Sequence, residues 1–285
     1  MLTRPGTALL ELLLALALAG VVLSIATTSV LRQQRTHARI VGLAASEGQL
    51  RAATLVLAAQ LSDLDAAAGD IAGAPSDTAL QFRAAVGTSF ACGASVGSIA
   101  LLPEQGPGGA YAGMLSTPRP GDTLWWLGDS AWSAARVRSV DAAYVTCTAP
   151  LAFAGPSVRL SLAGAADTIP AGAPLRLTRQ TRYSLYRSAD GSWQLGFREW
   201  NEATGAFASP QPVAGPLLLA AGTRRSGYRY YDAAGAELAM TAGAPDVSRI
   251  ARIRITMRSI VATRDRGSDS VRTDSVDVGL RRGGT

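Results

Sequence analysis

The sequence contains no lysine and only one histidine, His37, and this shortage excludes most catalytic arrangements. Gly93-Ala94-Ser95-Val96-Gly97 matches the Gly-x-Ser-x-Gly pattern of a serine nucleophile. Such a serine needs a histidine later in the chain to accept its proton, whereas His37 precedes Ser95. We therefore expect no enzyme activity, no catalytic residue and no cofactor. We also expect no metal site; calcium binding by the late acids Asp265, Asp269, Asp274 and Asp277 is the alternative.

Positive charge comes from arginine alone, and it is not concentrated in any one segment. The net charge is +6 and the isoelectric point is about 9.9, values that invite a nucleic-acid partner. The arginines are instead scattered among segments with strand character, so we do not expect nucleic acid to be the partner. Hydrophobic residues make up 48% of the chain and charged residues 17%, which indicates a packed globular domain.

Cysteine is also scarce, with only Cys92 and Cys147 present. In a reducing cytosol these would be two buried thiols, but an even number of cysteines in an exported domain favours one disulfide. We expect a Cys92–Cys147 bridge with a structural role. Neither cysteine lies in a Cys-x-x-Cys pair or beside a histidine, as redox or zinc chemistry would require.

The N-terminal segment is almost wholly apolar. From Leu12 to Leu31 the chain runs for 20 residues without a formal charge, about the length of a helix that crosses a membrane. Glu11 stands directly before this run. A carboxylate at such a place costs roughly 2.5 kcal/mol or more unless it finds a partner, so Glu11 is a candidate functional residue.

Gly6, Thr7 and Glu11 together resemble the class III signal of type IV prepilins and type II secretion pseudopilins. The resemblance implies that prepilin peptidase cuts after Gly6 and that Thr7 becomes a methylated N-terminus. It also implies that Glu11, fifth in the mature chain, pairs with the N-terminal ammonium of a neighbouring subunit during filament assembly. Such a pairing would offset the desolvation of both charges.

Two other interpretations of the N-terminus stay open. Ser24-Ile25-Ala26 is a possible cleavage site of an ordinary secretory signal, although Glu11 and the length of the apolar run fit one badly. A plain single-pass anchor would explain the length but not Glu11. Three arginines follow the span, Arg32, Arg35 and Arg39, and only Arg4 precedes it, so the positive-inside rule would place the C-terminal part in the cytoplasm. The resemblance implies the opposite orientation, which we adopt.

Residues 32–68 have the pattern of an amphipathic stem helix. Leu43, Leu50, Leu57 and Leu64 recur every seven residues, with Ile40 and Leu61 on adjoining positions. We expect this stripe to pack on a globular domain; an isolated coiled coil is the alternative. Gly69 and Pro75 are the predicted end of the helix.

Residues 69–285 have the short β-rich runs and turns of an antiparallel sheet. Strands are predicted over 123–127, 136–140 and 144–147, and a hairpin around Asp190-Gly191. Alternation of apolar and arginine residues from Ala251 to Arg258 predicts a sheet with one wet face. The prediction is therefore an α+β fold with a long N-terminal helix packed on this domain.

This order resembles the pilin family. Details of the β-rich part, among them Gly121-Asp122-Thr123-Leu124 and Tyr228-Arg229-Tyr230-Tyr231-Asp232, resemble PilW-type minor pilins and J-type minor pseudopilins. The resemblance divides the chain into a prepilin leader 1–6, a transmembrane or filament-core helix 7–31, the stem 32–68 and a periplasmic domain 69–285. It implies a single-pass inner-membrane protein that helps initiate or cap a type IV pilus or a type II secretion pseudopilus. The implied partners are other minor and major pilins or pseudopilins, prepilin peptidase, the inner membrane and its assembly platform. The alternative is a membrane-anchored periplasmic binding module that does not polymerise.

Overall fold

The computed structural model describes residues 5–103, 113–128, 132–147, 153–164, 169–219, 226–240, 246–261 and 270–281. Within these ranges lie one long helix, α1, from Pro5 to Leu61, one 3-10 turn, Val247–Arg249, and fifteen strands. The strands are β1 Ile71–Ala72, β2 Ala79–Ser95, β3 Ser98–Leu101, β4 Gly113–Met114, β5 Thr123–Leu127, β6 Trp132–Thr146, β7 Ala154–Ala163, β8 Pro174–Arg187, β9 Trp193–Asn201, β10 Ala206–Phe207, β11 Gln211–Leu217, β12 Gly227–Tyr231, β13 Glu237–Leu238, β14 Arg252–Val261 and β15 Ser270–Gly279.

Helix α1 is continuous because its interior lacks proline and is rich in alanine and leucine. It ends at Leu61, earlier than the predicted boundary at 68. The reason is local hydrogen bonding by aspartate: the Asp65 carboxylate accepts from the amides of Ala67 and Ala68, at 2.9 and 3.2 Å. Such turns compete with the helix for backbone donors. The Arg281 amide also donates to the Leu64 carbonyl at 2.8 Å, which ties this turn to the chain beyond β15.

The first half of the β-rich part is a closed barrel of six antiparallel strands. Strand β2 pairs with β3 on one edge and β8 on the other, and the circuit closes through β7, β6 and β5. The interior is apolar, with Leu124, Leu160 and Leu177 fully buried. This barrel lacks unpaired edges along most of its circumference, which limits edge-to-edge aggregation.

The second sheet has the order β13-β12-β14-β15. Helix α1 packs against β14 and β15 of this sheet and against β11 of the large sheet. One core unites the helix with both sheets: Leu57 and Leu61 from α1, Phe82 and Tyr183 from the large sheet, and Ile253 from the second. The coarse α+β prediction is confirmed, since one long N-terminal helix joins a largely antiparallel β domain.

Strand predictions agree with the structure where the period-two pattern is strong. β5 occupies residues 123–127 as predicted, and Ile253, Ile255 and Met257 of β14 point into the core. The two predicted runs 136–140 and 144–147 are instead one strand, β6, which pairs continuously with β7 apart from a bulge. Asp141-Ala142-Ala143, the segment between the two predicted runs, remains in the ladder because β7 supplies partners for it.

Candidate functional site

The apolar half of α1 contacts no other part of the described chain. Side chains from Leu12 to Leu31 are exposed around the whole helix, with Leu12 at 64% and Leu23 at 68%. By length and composition α1 is able to span a membrane, and among the described residues it is the one helix that meets this test. A fully exposed apolar surface of this size requires lipid or other protein around it.

Glu11 lies at the first turn of this apolar surface, and it is exposed. Within the described part of the chain no cation pairs with its carboxylate, so any partner must come from elsewhere. Gly6 and Thr7 lie in the helical backbone that begins at Pro5. The geometry therefore leaves the Gly6–Thr7 cleavage and the Glu11 contact as predictions.

The stem attaches to the β domain through one side of α1. Leu50, Ala53, Leu57 and Leu61 are at most 3% exposed, and Leu64 is buried just beyond the helix. The predicted leucine stripe is thus mostly correct. The N-terminal end of the stripe does not match the prediction. Leu43 is only half-buried and Ile40 is 57% exposed, because the β domain does not extend that far along the helix.

Two polar contacts fix the rotation of the stem against the sheets. The Thr54 hydroxyl donates to Asp274 of β15 at 3.0 Å, and the Tyr183 hydroxyl of β8 donates to Gln60 at 3.0 Å. Burial raises the pKa of Tyr183 to about 12, so this donor keeps its proton throughout the ordinary pH range. With α1 held in this rotation, the side of the helix opposite the buried leucines faces outward.

That opposite side is apolar as well, which the sequence reasoning missed. We define the outer stem face by residues spaced 4-3-4-3-4 along the helix, all of them exposed and uncharged: Val41, Ala45, Gly48, Ala52, Leu55 and Ala59. Leu55 is 64% exposed and Val41 52%. The spacing itself was a signal, because it traces one stripe of a helix directly opposite the buried leucines.

Three glycines of α1 are not required by any close contact within the monomer. A Cβ atom built at Gly20, Gly42 or Gly48 would meet nothing within 4 Å. Glycine inside a helix is destabilising by roughly 0.5–1 kcal/mol relative to alanine. Small residues at such positions allow another helix to approach closely.

The cysteines form the expected disulfide. Cys92 at the end of β2 is bonded to Cys147 directly after β6, in a small cluster with Ala100, Leu102 and Val145. The bridge joins β2 to the end of β6, two strands that do not pair with each other in the barrel. It has a structural role and lies far from Glu11 along the chain.

The candidate catalytic residues are not brought together. Ser95 lies at the tip of the β2–β3 hairpin, and its hydroxyl is 2.7 Å from that of Ser98. His37 lies exposed on α1. Within the described ranges, no group of three or more histidine, cysteine, aspartate or glutamate residues is arranged to hold a metal ion.

Many arginines of the β domain are engaged in ion pairs. Arg179 and Asp122 form the most buried pair, and the hydrogen bond to Asp122 raises the pKa of Arg179 above its ordinary value. On the wet face of the second sheet, Arg254 binds Asp277 through two bonds of 2.8 Å and lowers the pKa of that carboxyl. These pairs spread the charge over the surface and do not form one continuous basic patch.

Comparison with protein-family models, curated proteins and solved structures finds no match for this chain.

Proposed function

We propose that this chain is a minor pilin or minor pseudopilin, which is cut after Gly6 and then assembled at or near the tip of a type IV pilus or type II secretion pseudopilus. The observation that supports it best is the division of α1. One continuous helix has a C-terminal half held by the β domain and an N-terminal half exposed and apolar throughout. A subunit that moves from a membrane into a filament needs both halves in one element.

The isolated carboxylate of Glu11 supports the same proposal. It stands beside an uncharged segment of 20 residues, where an unpaired charge is costly. The ammonium of Thr7 in a neighbouring subunit would supply the opposite charge after cleavage. A plain membrane anchor has no use for Glu11.

The outer stem face supports assembly independently of the signal sequence. Gly48 lies at the middle of this face, with open space around it. A helix that stays in water gains nothing from an apolar outward stripe, whereas a bundle of helices buries one. The partners proposed are therefore other pilin or pseudopilin helices.

The cellular location proposed is the inner membrane, with the β domain in the periplasm. The Cys92–Cys147 bridge supports an oxidising compartment, because disulfides are rare where glutathione keeps thiols reduced. A single apolar helix at the N-terminus is compatible with a single-pass anchor.

Mass spectrometry of the N-terminal peptide from native membranes tests the processing step. We expect a chain that begins at Thr7 with one added methyl group, and we expect it to disappear in cells that lack prepilin peptidase. An intact Met1, or a cut near Ala26, would contradict the proposal. A chain that matures identically without the peptidase would favour the non-polymerising binding module.

Substitution of Glu11 tests the assembly step. Glu11→Gln should leave the β domain folded and lower the amount of the protein recovered in sheared filaments by about tenfold or more, because the ion pair is lost from a low-dielectric site. Glu47→Gln is the matched control, since Glu47 is an exposed glutamate on the same helix. Equal recovery of wild type and Glu11→Gln would remove Glu11 from the mechanism.

A further inference from the structure

Two arginines face each other on the outward side of the large sheet. Arg182 of β8 and Arg198 of β9 are directly opposite in the antiparallel register. Side chains at such positions lie on the same face, with Cβ atoms about 4.5–5.5 Å apart. Gln81 of β2 is the next residue across the sheet, opposite Arg182.

No carboxylate in the described part of the chain balances this pair. Strands β2 and β8 contain no acidic residue. The two acids on and beside β9 are bound elsewhere: Glu199 by Arg119 at 3.1 Å, and Glu202 by Arg136 at 3.0 Å. Like charges placed directly opposite in a sheet are unfavourable, so the free protein contains an unrelieved repulsion here.

The surroundings leave one donor without an acceptor. The Nε atom of Arg198 is buried and has no hydrogen-bond partner among the described residues. The Arg182 guanidinium lies over the Phe207 ring at 6.0 Å, and Phe207 packs edge-on against Trp200 at 5.3 Å. Buried donors in proteins are nearly always paired, so the Nε atom adds an unsatisfied polar group to the repulsion between the two guanidiniums.

We propose that Arg182 and Arg198 bind a carboxylate side chain carried by an acidic segment of a partner protein. One carboxylate between two guanidiniums would relieve their repulsion and supply charge-assisted hydrogen bonds. Arg182 and Arg198 are both half-buried on one face of the sheet, beside Phe207 and Trp200. A protein segment would cover the face, exclude water and pack on Phe207 and Trp200. The net charge of +6 favours an acidic partner.

The test uses the whole 285-residue chain in nonionic detergent micelles and a fluorescein-labelled peptide of six glutamates. Anisotropy at low salt should show binding, and Arg182→Gln or Arg198→Gln should weaken it by about tenfold or more, since each removes a charge-assisted bond. Arg138→Gln is the matched control. Arg138 is exposed on β6 and has no carboxylate partner within the described ranges, so its loss should weaken binding less than about twofold.

Three outcomes would overturn the proposal. Equal weakening by Arg138→Gln would indicate unspecific charge attraction, and absence of binding to the wild type would remove the site. Inorganic tripolyphosphate binding that depends on Arg182 and Arg198, with no binding of the glutamate peptide, would show a phosphate ligand instead. None of these readouts requires cleavage at Gly6 or filament assembly, so failure here leaves the proposed function standing.

A thermal measurement separates a binding role from a structural one. Arg198→Met removes both the repulsion and the buried unpaired donor, and it replaces the aliphatic stem of the arginine with an unbranched apolar side chain. It should raise the unfolding temperature of the free protein and abolish peptide binding. A lower unfolding temperature would contradict the argument that these guanidiniums are unsatisfied in the free chain.

Discussion

The Arg179 guanidinium holds the Asp122 carboxylate through two hydrogen bonds, of 2.7 and 2.9 Å, inside the protein. Their side chains are 7% and 2% exposed. Arg179 also donates to the Thr117 carbonyl at 2.9 Å, and so joins β8 to the segment that leads into β5. The pair therefore connects two parts of the barrel that are distant in sequence.

Asp122→Ala should lower the free energy of unfolding by about 3–5 kcal/mol, because it leaves the buried Arg179 charge without its main partner. Urea unfolding followed by tryptophan fluorescence measures this loss. The double variant Asp122→Leu with Arg179→Met should recover much of the stability, since no unpaired charge remains. A single variant within about 0.5 kcal/mol of wild type would show that the pair is not energetically coupled.

Two neighbouring tyrosines of β12 should respond in opposite ways to loss of their hydroxyl groups. The Tyr228 hydroxyl is buried with no hydrogen-bond partner among the described residues, whereas the Tyr230 hydroxyl donates to the Ser76 carbonyl at 2.9 Å. Tyr228→Phe should be neutral or stabilising, and Tyr230→Phe should cost about 1 kcal/mol. Thermal unfolding of both variants provides the comparison, and each serves as the control for the other. A larger loss in Tyr228→Phe would contradict the assignment.

Removal of the disulfide should destabilise the barrel. The bridge closes a loop with a sequence separation of 55, which corresponds to about 4 kcal/mol in the chain-entropy description of the unfolded state. The variant Cys92→Ala with Cys147→Ala should lose about this amount in urea unfolding. Reductant should destabilise the wild type and leave the double variant unchanged. If reductant destabilises the wild type and the double variant equally, it does not act through the disulfide.

Much of the β domain was predictable because its signals are local. The alternation from Ala251 to Met257 identifies a strand with one buried face without any knowledge of its partner. The Asp190-Gly191 turn predicted the β8–β9 hairpin but not its register. A two-residue turn there would place Arg182 opposite Glu199, whereas the observed loop of residues 188–192 places Arg182 opposite Arg198. The even number of cysteines predicted their pairing only together with the expectation that the domain is exported.

What the sequence could not show depends on contacts between distant residues. Closure of the barrel requires β2 to pair with β8, about a hundred residues later, and no local pattern indicates this partner. The end of α1 was misplaced for a different reason. Asp65 and Asp70 compete for backbone donors, and the helical pattern of Leu57, Leu61 and Leu64 continues through this region without a break.

Acid should weaken the β8–β9 hairpin in a defined pH range. Hydrogen bonds from Ser188 and then Ser192 lower the pKa of Asp190 from 3.8 to about 2. Because the folded state favours the charged form, the contribution of Asp190 is complete above about pH 4 and is lost as the pH falls through about 2. The difference in unfolding temperature between wild type and Asp190→Ala should therefore be constant near neutrality and shrink across this range. A difference that persists at the acidic end would contradict the role of the ionised carboxylate.

Because Gly48 lies on the outer stem face, we predict that Gly48→Ala will stabilise the monomer and impair its assembly. Gly48→Ala adds a methyl group in open space on an exposed helix, so it should raise the free energy of unfolding by about 0.5–1 kcal/mol through helix propensity. The same methyl group should keep a neighbouring helix away and lower recovery in filaments. Gln49→Ala, at an exposed position off the stripe, is the control and should change neither property much. Normal filament recovery for Gly48→Ala would show that the glycine serves no close helix contact, and the apolar outer face would then need an explanation other than assembly.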